Sequence, residues 1–421
     1  MIDSICIFED KGYANLLPLV YSRPIYDLLS GILTLREKIT YHFPTQIVTL
    51  HSRKYLEKLI QKENPKVLVN KMNQKVNTCL FINGRVILDS NLAKTLLQFE
   101  DNTLFLFNNQ VIAAKVSGHN LEKFRVNLPE TFSISDFQNL NKTNIEAVII
   151  NYPWDLVNRN GIEIFNDFNL LVDKNAKMVL GNIYESVSFL NKSYIFIGEG
   201  TKVKPGVVLD AENGPIFIDK NVTIMPNSVI EGPCFIGENS IIKISAKIYE
   251  NTSIGKACKI GGEVEQSIIH SYSNKQHEGF LGHAYLGQWV NLGADTNNSD
   301  LKNNYSNVKV IINDSEPIDT GSIFVGLIIG DHSKTAINTM INTGTVVGFS
   351  SNIFGGGFPD KYITSFAWCG SEYTSTYNLS KSIEVAKKVT ERRNRAFTKI
   401  EEDLFYEIFK LTEAERAKRN L

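Results

Sequence analysis

The chain has 421 residues, 43 % of them hydrophobic, and a net charge of −1 from 44 Lys and Arg against 45 Asp and Glu. That length suffices for two or three domains, and the charge balance excludes a protein held to nucleic acid by bulk electrostatics. The five cysteines are scattered and form no Cys-x-x-Cys pair, so buried thiols in a reducing cytosol are expected rather than disulfides or zinc ligands. No run of about 18 apolar residues occurs, and the first ten residues lack a basic n-region, so the chain is expected to be cytoplasmic, without a membrane span.

Residues 1–178 read as an α/β domain. Ile5–Phe8, Gln46–Leu50, Lys66–Val69 and Cys79–Ile82 are apolar, strand-like runs. Ile32–Ile39, Lys54–Gln61 and Ala93–Phe99 have helical patterning. Thr103–Phe107 and Val111–Val116 flank Asn108-Asn109 and predict a hairpin. Alternation of this kind implies a mostly parallel, Rossmann-like sheet. Ligands of such sheets gather at the carboxyl ends of strands, which points to Glu9–Arg36 and Asn83–Asp89.

The segments Phe8-Glu9-Asp10, Leu17-Pro18-Leu19, Ser22-Arg23-Pro24-Ile25-Tyr26-Asp27-Leu28 and Gly31-Ile32-Leu33-Thr34-Leu35-Arg36-Glu37-Lys38 resemble a divergent branch of the sugar nucleotidyltransferases. So does Asn151-Tyr152-Pro153-Trp154-Asp155. The main family opens with a glycine-rich phosphate loop; here Glu9-Asp10-Lys11-Gly12 stands in its place, and Arg85 replaces an aspartate. Nucleotidyl transfer needs cations to neutralise a triphosphate. The resemblance implies Arg23, Arg36, Lys38 and Arg85 as substrate contacts and Asp155 as a ligand for Mg2+. A solvated helix face is the competing reading of Arg36 and Lys38.

Residues 179–376 carry a different pattern. Isoleucine stands at 218, 224, 230, 236, 242, 248, 254 and 260, every sixth position without a miss. Six is a multiple of two, so in extended chain these side chains share one face. A single strand of that length is excluded, so the chain must turn about once per hexapeptide, as in a β-solenoid. Small or thiol residues at 228, 240, 246, 252 and 258 precede them by two. Gly237, Gly255 and Gly261 follow them, where corners require little bulk and a permissive backbone. The register is expected at Ile197, Val203 and Leu209 before the run. After Gly261 it breaks, resuming at Phe280, Leu286 and Leu292 and again from Ile323 through Ile353, with residues 297–318 as a polar insertion. The pattern resembles the left-handed parallel β-helix of hexapeptide-repeat transferases, which implies a homotrimer. Residues 377–421 are charged, with helical spacing, and Thr412-Glu413-Ala414-Glu415 has the form of a capping box.

Four of the seven histidines, His270, His277, His283 and His332, fall in the irregular part of the solenoid, without the spacing of a tight metal motif. The stretch from His277 through Phe280, Gly282, Asn291, Leu292, Gly293, Ala294 and Thr296 resembles the acetyltransferase half of the bifunctional UDP-N-acetylglucosamine pyrophosphorylase/glucosamine-1-phosphate N-acetyltransferase family. That resemblance implies His277 as the base and Glu263 as the nearby carboxylate. It implies Asn291, Phe280, Asp300 and Ala294 as substrate contacts. Acetyl-CoA, a sugar phosphate and a nucleoside triphosphate are the implied small-molecule partners. Phe280 stands for a family tyrosine and Asp300 for a family asparagine. His283 is the competing base, one hexapeptide further and so on the next face. Nucleotidyl transfer alone with the solenoid as scaffold, and sugar-nucleotide binding without turnover, are the alternative readings.

Overall fold

The computed structural model describes residues 2–421 except 45, 174, 371 and 372. Three parts follow the chain. The first is a seven-stranded sheet of β1 (Ser4–Phe8), β2 (Ile47–Leu50), β3 (Leu68–Val69), β4 (Thr78–Asn83), β5 (Thr103–Phe107), β6 (Gln110–Ser117) and β7 (Asn141–Asn144), in spatial order 7-5-6-4-1-2-3. β1, β2, β3 and β4 run parallel, while β6 is antiparallel to β4 and β5 as the expected hairpin requires. Helices α1 (Leu35–His42), α2 (Glu57–Glu63), α3 (Ser90–Gln98) and α4 (His119–Val126) cover it. α1 starts three residues later than the apolar pattern suggests, because Thr34 and Glu37 form a reciprocal capping box.

The longest helix, α5 (Pro153–Leu171), begins with Pro153 in its first turn, and Asp155 accepts hydrogen bonds from the backbone N–H groups of Asn151 (2.8 Å) and Tyr152 (2.9 Å). It lies along the solenoid.

The solenoid is a parallel β-helix of three faces. Face I runs through strands Asn182–Ile183, Lys202–Val203, Thr223–Ile224, Ile241–Ile242, Lys259–Ile260 and Asn274–Lys275. Face II runs from Ser188–Leu190 to Phe280–Gly282, and face III from Ile195–Ile197 to Tyr362–Ile363. The isoleucines at 218, 236 and 254 stack on face III, those at 224, 242 and 260 on face I, and those at 230 and 248 on face II. All eight belong to one buried core. The small residues Ser228, Ser240, Ala246, Thr252 and Cys258 are fully buried at the corners. The left-handed backbone at those corners is supplied mainly by Asn221, Asn227, Asn239 and Asn251 rather than by glycine. Gly237 and Gly255 serve instead for close approach: a Cβ on either would lie 2.8 Å from the backbone of the next coil.

Two register expectations are corrected. After Gly261 the solenoid continues, but one coil is shorter: Ile254 pairs with Ile269, 15 residues on, whereas Ile236 pairs with Ile254, 18 residues on. Leu281 therefore points into the core, and Phe280 points outward. Ile323 likewise lies outside the core; Leu327 and Ile329 carry the register there. The insertion leaves between Asp300 and Val325 and contains an antiparallel pair, Lys309–Val310 with Ile318–Asp319. Lys275 occupies an interior position, its Nζ donating to the carbonyls of Gly261 and His277, each at 2.9 Å, and burial pulls its pKa down to about 8.

Face III is apolar on both sides, as strands covered on both faces are. Its outward side chains Phe196, Phe217, Phe235, Ile268, Tyr285, Ile328, Val346 and Tyr362 pack into the core shared with α5 and with Leu28, Leu29 and Ile32. Polar contacts fix the register: Ser253 Oγ donates to Gly31 O at 2.8 Å, and the Tyr285 hydroxyl lies 3.0 Å from Leu29 N. The final helices α6 (Leu379–Glu391), α7 (Lys399–Leu411) and α8 (Glu413–Lys418) close the end and join the N-terminal core through Ile383, Ala386, Leu404, Phe405 and Ile408. Thr412 does not form the expected box; its hydroxyl donates to Ile408 O and accepts from Arg416 Nη1, whereas Thr398 and Glu401 form one at the start of α7.

Candidate active sites

At the carboxyl ends of β1, β2 and β4 the N-terminal domain concentrates charge. Glu9, fully buried, accepts from Arg53 Nε and Nη2 (3.1 Å each) and from the backbone N–H groups of Ile25 and Arg53 (2.9 Å each). Asp10 accepts from Arg85 Nε at 2.8 Å and Nη2 at 2.5 Å. Arg85 also donates to Ile150 O, Asn151 and Gln110. The other expected phosphate contacts are committed as well. Arg23 forms a buried ion pair with Asp331 of the solenoid, Arg36 pairs with Asp27 at 2.8 Å, and Lys38 is buried between Glu163 (3.1 Å) and Asp167 (2.5 Å). The structure thus brings Arg23 and Arg36 towards the solenoid while Arg85 stays at the strand ends and Lys38 against α5. The Glu9–Arg53 pair was not anticipated; its signal, an acid after β1 and a base after β2, has no fixed spacing.

Asp155 is spent on capping α5, and burial pushes its carboxyl up. No group of three or more His, Cys, Asp or Glu side chains able to hold a metal exists among the described residues. The residues around Asp155 therefore do not fit an Mg2+ site.

On the solenoid the candidate residues fall on two adjacent edges. The corner between faces I and II carries His277, exposed, with Ala294 one coil further on. The two coils are tied by Asp295 N donating to Glu278 O at 3.0 Å. Beside this corner on face II, Glu263 and Phe280 are direct cross-strand partners, and Phe280 N donates to Asn297 Oδ1 at 2.8 Å. Lys247 lies 3.9 Å from Glu263 and 3.8 Å from Glu278, in the weak range of exposed ion pairs. Lys275 holds the His277 carbonyl from inside. Asn291 lies across face I, where it accepts from Asn274 at 3.3 Å, and Asn274 accepts from Arg393 Nη2 at 2.7 Å.

The next corner, between faces II and III, carries His283 and Asp300. His283 Nδ1 lies 2.8 Å from Asp300 Oδ2, and the ring stacks on Phe324 at 4.9 Å and 15°. His283 takes a left-handed backbone (φ 46°), and Asn298 clamps the adjoining Gly282 by accepting from its N–H and donating to its carbonyl, each at 2.9 Å. A side chain on Gly282 would collide with Asp300 and Phe280. His277 has no comparable carboxylate partner among the described residues. His270 and His332 lie elsewhere, at the junction of the three parts, where burial drives His270 down to about 3 and His332 well below its ordinary value.

Residues 5–176 match a family model described as sugar nucleotidyl transferase. The chain is 26 % identical over 303 residues to the bifunctional protein GlmU of Wigglesworthia glossinidia brevipalpis, with 71 % of this chain and 61 % of that protein covered. It is 26 % identical over 245 residues to a bifunctional sugar-1-phosphate nucleotidylyltransferase/acetyltransferase of Sulfurisphaera tokodaii, covering 56 % and 54 %. The chain thus spans about three fifths or less of the length of these relatives. Among solved structures, the UDP-N-acetylglucosamine acyltransferase of Francisella novicida aligns with 56 % of this chain and 91 % of its own at 15 % identity and a TM-score of 0.27. The β-helix assignment rests on its own strand pairing. The chain is GlmU-like and divergent.

Proposed function

We propose, from a GlmU-like sequence built on a nucleotidyl transferase domain and a β-helix, that this protein is a transferase of sugar-nucleotide synthesis. Its solenoid transfers an acetyl group from acetyl-CoA to the amine of an amino sugar phosphate. The observation that carries this reading is the pair of histidine-bearing corners flanking face II, with Glu263, Phe280 and Asn297 on the strip between them. In the reaction the sugar nitrogen attacks the thioester carbonyl, an N–C bond forms, the C–S bond breaks and the thiolate leaves. A neutral histidine takes the proton lost by the nitrogen, a contribution of about 10²–10⁴-fold.

His277 holds the position of the family base. His283 is favoured by a specific observation, the orienting carboxylate of Asp300. With Nδ1–H donated to Asp300, Nε2 keeps the lone pair that a general base needs. Release of CoA measured in the wild type and in His277→Ala and His283→Ala separates the two. The variant that loses about 10²-fold or more carries the base, and unchanged turnover in both contradicts a histidine base.

We assign the N-terminal domain nucleotidyl transfer to a sugar 1-phosphate. Binding without turnover is the second reading, favoured by the internal pairing of Arg23, Arg36, Lys38 and Arg85. Pyrophosphate release from a nucleoside triphosphate and a sugar phosphate, with and without Mg2+, decides between them. A homotrimer, with sites completed between copies, follows the same resemblance, and light scattering tests it.

A further inference from the structure

Where the three parts of the chain meet lies a cavity of about 790 Å³. One wall is the solenoid edge between faces III and I, with Lys256, Tyr272, Trp289 and His332; another is α1 and α2; the third is the segment from Thr390 to Phe405. This volume falls within the range of small-molecule sites, about 300–1,000 Å³. It is distinct both from the β1–β4 strand ends and from the corners of face II.

The solenoid side is basic. Arg395 packs its guanidinium over Tyr272 (4.9 Å) and Trp289 (6.0 Å), rings that are themselves stacked at 4.4 Å, and Lys256 Nζ lies 5.9 Å from the same tyrosine ring. Arg392, Arg393, Lys259 and Lys243 extend this charge across face I, and burial together with those neighbouring cations lowers the pKa of Lys259. Among the described residues, Lys243, Lys256, Lys259, Arg392 and Arg395 make no ion pair with a carboxylate. Crowding like charges without neutralisation is unfavourable in an otherwise neutral protein, so an anion is the missing partner.

The opposite wall is acidic. Glu37 and Glu63 line it with Asp27, whose carboxyl burial raises to about 6. At the inner end the buried Nδ1 of His332 has no hydrogen-bond partner. The cavity therefore asks for a ligand with negative charge at one end and hydrogen-bond donors at the other. It is also larger than one sugar ring needs.

We propose that this junction binds a nucleotide, with its phosphates on Lys256 and Arg395 and its nucleoside hydroxyl and amino groups towards the acidic wall. Two sources share that chemistry: a free nucleoside triphosphate, and the phosphorylated nucleoside of coenzyme A. Such a ligand would touch all three parts of the chain at once and tie their arrangement to nucleotide supply.

Calorimetry on the full chain with ATP, UTP, CoA and glucosamine 1-phosphate tests this, with hydrogen exchange over residues 390–397 as a second readout. The expected result is binding of ATP or UTP, or of CoA, that protects residues 390–397 and weakens at least tenfold in Lys256→Ala and Arg395→Ala. Both side chains are exposed, so the variants leave the fold intact. A triphosphate behaving so identifies the free nucleotide, and CoA alone behaving so identifies the coenzyme. No binding, binding indifferent to both substitutions, protection confined to other segments, or such behaviour from glucosamine 1-phosphate alone overturns the proposal. Each outcome is read without acetyl or nucleotidyl turnover, so it stands or falls apart from the proposed activities.

Discussion

His283 Nδ1 and Asp300 Oδ2, 17 positions apart in sequence, stand 2.8 Å apart at one corner of the solenoid. The contact exists because successive coils stack their corners and because Gly282 leaves room for the carboxylate. If this pair serves the acyl transfer, Asp300→Asn keeps the shape but removes the charge that holds the imidazole tautomer. The expected outcome is a kcat lowered by about tenfold or more with KM little changed, and a displaced acid limb in the pH profile of CoA release. A purely structural Asp300 would leave that limb where it is.

Lys275 sits where the repeat would place an isoleucine. Its depressed pKa means that the unfolded chain binds more protons than the folded one between about 8 and 10.5. By linkage, stability rises with pH across that window, and the cost of the buried charge is full below it. Lys275→Met should therefore raise the melting temperature at pH 7 relative to wild type, with the gain shrinking towards pH 10.5. Because the lysine also holds the carbonyl of His277, the same variant should lose CoA release if His277 acts in catalysis.

Asp27 shows the opposite sign. Its folded pKa lies above the usual 3.8, at about 6, chiefly through burial and despite Arg36. Between those values the folded state binds more protons than the unfolded, so stability falls as pH rises through the window. Asp27→Asn should be more stable than wild type above pH 6, by up to about 3 kcal/mol for a shift near two units. The difference should close below pH 4, as chemical denaturation across pH 4–7 would show.

Arg23 couples the N-terminal domain to the solenoid. Its guanidinium donates to Asp331 Oδ1 at 3.0 Å and Oδ2 at 2.5 Å, and Ser22 donates to the same carboxylate. Arg23→Ala leaves Asp331 buried without its counter-charge, which typically costs about 3–5 kcal/mol. Unfolding should lose cooperativity at this interface, read by urea denaturation with separate probes for the sheet domain and the solenoid. A double replacement of Arg23 and Asp331 by apolar residues should recover much of the loss.

Much of this architecture is legible in the residues. The isoleucines at every sixth position specify a three-faced solenoid, since only extended chain with regular corners brings them to one interior. The first sheet and its hairpin follow from apolar runs and turn signals. α5 is harder to read, because Asn158, Asn160 and Gly161 interrupt its pattern. They are there for docking: Asn160 donates to Asn251 O at 2.8 Å, and a side chain on Gly161 would strike Asn251. The shift of one at Phe280 and Leu281 arises from a coil of 15 residues in place of 18, which hexapeptide arithmetic does not register. The ion pairs that absorb Arg23, Arg36, Lys38 and Arg85 are also invisible in sequence, since their partners lie up to 308 positions away. Sequence marks such side chains as available cations, and only packing shows where their charge goes.

The central claim is acetyl transfer on the solenoid, and a thiol-reactive assay of CoA release tests it most directly. Acetyl-CoA would be offered with a panel of amino sugar phosphates to the wild type, His277→Ala and His283→Ala. The account predicts CoA release by the wild type that depends on the amino sugar and falls by about 10²-fold or more in one of the two variants. No amine-dependent release by the wild type, or equal release by all three proteins, would contradict it.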